Sequence, residues 1–155
     1  MKTLKINELS IEIGKTQEIL ELKKHKFKKP GLLSTLMIKK EPGQTVWWSK
    51  NCEISCFDGF SLFPNLDTSS GANMMYGTSA YLFFEGNLIK KVTFQLVGNT
   101  IAAKWTIEKF IESATKVFGT QKNEGNKIIW EDNQYYIIAE IISNSPHAHF
   151  YWISK

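Results

Sequence analysis

The chain has 155 residues, of which 43% are hydrophobic, 22% charged and 13% aromatic; this mix excludes a disordered chain and suits one globular domain that buries about 70% of its unfolded surface. It contains no run of about 18 apolar residues, which excludes a membrane-spanning helix, and two cysteines are too few for a disulfide framework. The formal charge is +4, yet all 19 basic residues are lysine, and a nucleic-acid reader without a single arginine fork would be unusual.

Five of those lysines stand in "KKHKFKK", Lys23 to Lys29, and setting them aside leaves 14 lysines against 15 acidic residues. The basicity is therefore one local run, read as a solvated helix end or as a contact for an acidic partner. The reducing cytoplasm suits a chain with so few cysteines and no N-glycosylation acceptor, and the chain reads as mature and soluble.

In chain order, Leu9, Ile11 and Ile13 alternate as a short strand, and after "GKT" the pattern turns helical, with Thr16 as N-cap and the lysine run at the far end before Pro30-Gly31. "LLSTLMIKK" and "TVWWSKNCEISCF" are strand-like and flank Pro42-Gly43, the central pair of a type II turn, which predicts a hairpin. "TSAYLFF" and "LIKKVTFQLVG" predict a second hairpin around Gly86-Asn87. Ile107, Phe110, Ile111, Ala114, Val117 and Phe118 form one helical stripe that Gly119 ends. "KIIWE", "QYYIIAEIIS" and "HAHFYWIS" then read as a meander of three strands. The fold class expected is α+β over residues 1–155: a single predominantly antiparallel sheet of about 6–8 strands with two helices packed on one face.

Metal and catalytic chemistry find little support. Within one strand Cys52 and Cys56 would lie about 13 Å apart, too far for one metal or for a disulfide. His147, His149 and Tyr151 share a strand face, but no third metal ligand is indicated. "GKT" lacks the glycine five positions earlier that a phosphate loop needs, since Leu9 stands there, and Ser61 lacks the glycine two places on that a nucleophile elbow needs, since Phe63 stands there. No enzyme, metal or cofactor is expected.

The aromatics are more informative. Trp47-Trp48, Tyr135-Tyr136 and Tyr151-Trp152 must each split between the two faces of a strand, so an uncovered sheet face would display large aromatics, the usual anchors of protein interfaces. Candidate partner-binding residues are Trp47, Trp48, Ser69, Asn73, Tyr76 and Tyr135, with the Ser69 to Gly77 segment inserting into the partner and lysines steering an acidic surface. His147, His149 and Tyr151 are a candidate ligand face for the alternative, a small-ligand binder or small enzyme using the sheet concavity.

"LSIEIGKTQEIL" resembles the strand, Ile-Gly, small-polar, helix opening of β-lactamase-inhibitory-protein-like domains and of outer-membrane assembly lipoproteins. The run from Tyr81 through "KVFG" to "IIWEDNQYYIIAEI" is similar to the hairpin, helix, Phe-Gly, hairpin pattern of small bacterial immunity proteins. Together these cover about half the chain; there is no lipoprotein signal, and the cysteines do not match a disulfide-linked repeat. The resemblance implies a monomeric or homodimeric protein that works by binding another protein, most concretely an immunity-type inhibitor that occludes a toxin or enzyme, with no nucleic-acid or membrane partner.

Overall fold

The first hairpin is written in "LKINELSI". Strands β1 (Leu4–Ile6) and β2 (Leu9–Ile11) pair antiparallel, with Leu4 opposite Ile11 and Ile6 opposite Leu9. Asn7 and Glu8 close the loop with φ of 50° and 69°, the pair of positive values a type I′ turn requires. The computed structural model describes residues 3–50, 52–55, 57, 61–62, 75–98, 100–141 and 147–155, with side chains described except at 61–62, 75–78, 95–98, 100–107, 141, 147 and 148.

Two short helices follow, α1 (Ile19–Lys24) and α2 (Leu32–Met37). Glu18, not Thr16, is the N-cap residue of α1; Thr16 instead bridges Leu88. The lysine run is only partly a helix end: Lys23 and Lys24 close α1, Lys26 has a positive φ of 66°, and Phe27 turns into the core.

Residues 32–37, expected as a strand, are helical, so the hairpin they would have made with Trp47 and Trp48 does not exist. The Pro42-Gly43 turn itself forms: Gly43 has φ 82° and Gln44 N–H donates to Glu41 O at 3.2 Å. It leads from α2 into β3 (Thr45–Ser49), whose strand partner is β6 (Met75–Glu85). The expected continuous strand through Cys52 is also broken, because β3 stops at Ser49 and β4 (Ile54–Ser55) joins β1 in another sheet.

A long hairpin of β6 and β7 (Leu88–Gly98) forms the second and third strands of the larger sheet, counted from β3. Its loop is Gly86-Asn87, and the same Glu-Gly-Asn tripeptide recurs between β8 (Lys122–Glu124) and β9 (Lys127–Glu131). Gly86 and Gly125 both take positive φ, 60° and 59°, as the first loop residue of a two-residue hairpin often must. The expected meander is present as β9, β10 (Tyr135–Ile141) and β11 (His147–Ser154), with β11 also paired to β7.

The architecture of the described residues is therefore mostly sheet with three helices: a seven-stranded antiparallel sheet in the order β3-β6-β7-β11-β10-β9-β8, and a small sheet in the order β2-β1-β4-β5, where β5 is Ser61–Leu62. This corrects the expected single sheet with two covering helices. Helix α3 (Thr100–Phe118) lies on β7, β9, β10 and β11, where the Phe110 ring lies tilted on Phe150 with centroids 4.3 Å apart and meets Trp130 edge-on at 6.1 Å. Phe57 inserts edge-on against Phe118 and Trp152, and the buried side chains of both sheets, α1 and α3 form one cluster. At several Phe and Trp side chains of 150–250 Å² each, that cluster dominates the stability of the fold.

Candidate protein-binding surface

Residues 28–48 form an excursion from the edge of the large sheet. Its base is closed by Lys28 and Trp48, which exchange two backbone hydrogen bonds of 2.9 Å. Pro30 and Gly31 set the entry to α2, where Thr35 N–H and Oγ1–H both donate to Gly31 O at 2.9 Å. Beyond α2, Lys40 Nζ donates to Gln44 O at 2.8 Å and Glu41 N–H to Gln44 Oε1 at 3.1 Å, which pins the return turn.

What this excursion carries outward is apolar. Leu32, Leu33, Leu36 and Met37 are 81, 79, 76 and 85% exposed, and α2 buries no residue at all. At i, i+1, i+4 and i+5 these four side chains fall on one stripe, the pattern of a helix that docks in a groove. Single exposed leucines need no explanation, but four on a two-turn helix make a continuous patch of the kind that marks an interaction site. Lys28, Lys29, Lys39 and Lys40 bracket the patch. Ile19 and Leu20 of α1 are exposed as well, and Ile19, Lys23, Phe27, Lys28, Lys29 and Trp47 line a groove of about 410 Å³.

The sheet face opposite α3 carries half-buried aromatics. Trp48 stacks on Tyr81 with centroids 5.8 Å apart, and Lys50 and Lys28 place their ammonium groups 4.5 and 5.8 Å from the Trp48 ring. Lys91 lies 5.1 Å from the Phe83 ring and 5.6 Å from the Tyr151 ring. Burial lowers the Lys91 ammonium below the ordinary lysine range, partly offset by Glu41, and burial raises the phenols of Tyr81 and Tyr151.

The tryptophan pair splits as expected: Trp47 is buried in the core opposite Leu82, and Trp48 is half-buried on the other face. Tyr135 is the wrong member of its pair. It is 5% exposed and wedged edge-on against Phe118 and Trp152, whereas Tyr136 is 37% exposed with Lys155 4.8 Å over its ring. Burial, then the charges of Asp132 and Glu12, push the Tyr135 phenol up to about 12, as suits a core residue.

Ser69 and Asn73 lie outside the described residues, as does the Tyr76 side chain, although Tyr76 belongs to β6. On β11, His149 and Tyr151 share a face as expected, stacked with centroids 6.3 Å apart, while Phe150 and Trp152 are buried on the other. His147 belongs to the same strand, opposite Val97; its side chain is outside the described set.

Cys52 is a core residue in the connection between β3 and β4, and burial raises its thiol to about 12, which removes it as a thiolate nucleophile at neutral pH. Cys56 lies outside the described residues. Among the described residues no group of three or more His, Cys, Asp or Glu could hold a metal ion, and no helix is long and apolar enough to cross a membrane.

The exposed helix α2 was missed by sequence reading; its signal was the lack of strict alternation in "LLSTLM", since leucine and methionine favour helix while strands favour branched and aromatic side chains. Compared with protein-family models, with curated proteins and with solved structures, the chain matches none.

Proposed function

We propose that this chain is a protein-binding inhibitor of the immunity type, which inserts the apolar stripe of α2 into a groove on a cognate toxin or enzyme and acts by occlusion rather than by chemistry. The observation that carries the reading is the exposure of Leu32, Leu33, Leu36 and Met37 on a helix pinned at both ends. Covering four such side chains yields about 6–12 kcal/mol before the costs of association are subtracted. Lysines at both ends of the patch call for a groove rimmed with carboxylates, which would also speed encounter. Trp48, Tyr81 and Tyr136 on the adjoining sheet face supply further aromatic contact. The inhibitor half of the proposal rests on the short sequence patterns, around "LSIEIGKTQEIL" and from Tyr81 to "IIWEDNQYYIIAEI", that resemble those of inhibitor and immunity domains.

The test is capture of a partner, purification of that partner, and titration calorimetry against the wild-type chain and the double variant Leu33→Glu/Leu36→Glu. Support requires a stoichiometric complex that suppresses the partner's activity and is lost in the variant while the melting temperature holds. A partner bound equally by the variant would remove α2 from the interface. Loss in the variant of sedimentation with anionic phospholipid vesicles, or of self-association, with no protein partner found, would replace this reading with a membrane or a second copy.

A further inference from the structure

A second site, separate from the apolar patch, stands on the sheet face opposite α3. The turn that follows α2 lies beside the ends of β6, β7 and β11 and forms with them a cleft of about 620 Å³. Lys39, Lys40, Lys90, Lys91 and Lys155 line it. Glu41 and Glu85 are its carboxylates, which leaves an excess of three positive charges around one concavity.

A break in the β6–β7 ladder delivers two of these lysines. Phe83 pairs with Lys91, but the next pair is Phe84 with Ile89, so Lys90 is an extra residue on β7. Without it, Ile89 would share the Lys91 face; with it, Ile89 is fully buried beside Phe84, and both adjacent lysines reach the cleft. Bulges of this kind re-aim side chains at functional positions. Lys91 is further held between the Phe83 and Tyr151 rings, so its charge stays at the cleft despite the burial that disfavours it.

Two of the other cations already have acceptors: Lys155 is 3.1 Å from Glu131 and Lys40 donates to Gln44 O. Lys39 and Lys90 have no ion pair among the described residues. Clustering like charges in one concavity is unfavourable until an anion enters.

We propose that this cleft binds a compact anion carrying two or more linked phosphate groups. A single phosphate fills only a small part of a cleft of about 620 Å³ lined by five lysines, whereas a di- or triphosphate chain presents oxygens in several directions to lysines that act as point charges. The polar lining, with Ile153 its one large apolar residue, excludes a mainly apolar ligand. Lys39 and Lys40 also flank the α2 patch, but anion binding here does not require α2 to dock, and either proposal can fail without the other.

The experiment is titration calorimetry of the full chain at constant ionic strength with orthophosphate, pyrophosphate, tripolyphosphate and ATP, repeated on Lys39→Gln/Lys90→Gln and on Lys23→Gln/Lys26→Gln, with thermal melts as the folding control. Saturable one-to-one binding is expected, tighter for tripolyphosphate than for orthophosphate, about tenfold weaker in the cleft variant and unchanged in the run variant. Equal affinity for ATP and tripolyphosphate would assign the phosphate chain alone, and tighter ATP binding a nucleotide; both support the site. Absence of saturable binding, or equal weakening in the two variants, would overturn it.

Discussion

Asn7 and His25 hold each other through both their backbones. Asn7 Nδ2–H donates to His25 O at 2.8 Å, and His25 Nδ1–H donates to Asn7 O at 2.6 Å. The same amide donates to Ser49 Oγ at 2.9 Å and accepts from Glu53 N–H at 3.0 Å. One side chain in the first turn thus ties together the end of α1, the end of β3 and the approach to β4. Asn7→Ala removes the three bonds of the side-chain amide, keeps the His25 bond to the residue 7 carbonyl and leaves a Cβ residue at positive φ, and it should cost about 3 kcal/mol. Asn7→Gly keeps the backbone freedom and should cost about 1 kcal/mol less. Urea unfolding of the two variants separates the bonding from the strain; equal losses would show that the turn's φ is not under tension.

Leu33→Glu/Leu36→Glu should leave stability within about 0.5 kcal/mol of wild type, since surface changes away from packed contacts are nearly neutral. A large fall in melting temperature would show that α2 packs on the protein in solution, and that the patch is not free to bind.

Trp47→Ala should cost about 3–5 kcal/mol, because it empties a core position that cannot collapse. Trp48→Ala should cost about 1–2 kcal/mol, the worth of a half-buried ring, its stack on Tyr81 and its lysine contacts. Part of that loss is offset, because the Trp48 Nε1–H is buried without an acceptor among the described residues and its removal ends a standing desolvation penalty. Reversal of the order would mean that the sheet face bearing Trp48 is covered in solution.

These pairs show how far the sequence was readable. Alternation and helical spacing located α3, the β6–β7 hairpin and the final meander, because each has a long pattern and a clear turn. The pattern does not say which face of a strand meets the helix, and so Tyr135 and Tyr136 were interchangeable until β10 was placed between β9 and β11. The second Glu-Gly-Asn, at residues 124–126, carried the same hairpin signal as the first, but charged Lys122 and Glu124 offered no apolar alternation beside it. Helix α2 was missed for a different reason: burial patterns identify elements that pack, and this one buries no residue fully, which leaves only the weak propensity signal of its leucines and methionine. The lysine cleft depends on one inserted residue, Lys90, and on a turn brought back from the far side of α2, neither of which has a sequence period.

Alkaline pH should destabilise the protein well before its surface lysines discharge. The Cys52 thiol and the Tyr135 phenol both rise to about 12, from ordinary values of 9.0 and 10.0, chiefly by burial. The folded state therefore holds both protons over a range where the unfolded chain releases them. Stability depends on pH as the protons bound by the unfolded state minus those bound by the folded state, so the difference is near zero at neutral pH and turns negative as pH rises through 9. The loss begins as unfolded Cys52 ionises, steepens near pH 10 as unfolded Tyr135 joins it, and levels off above 12; each fully released proton contributes about 1.4 kcal/mol per pH unit. Tyr81 and Tyr151 shift in the same direction and add to the fall. Melting curves at pH steps between 7 and 11 should be nearly flat at first and then decline, and Cys52→Ala should remove most of the decline between 9 and 10 and lessen the later one, which Tyr135 then carries. An unchanged decline in that variant would mean that the Cys52 thiol is solvated, and that the connection between β3 and β4 is not sealed into the core.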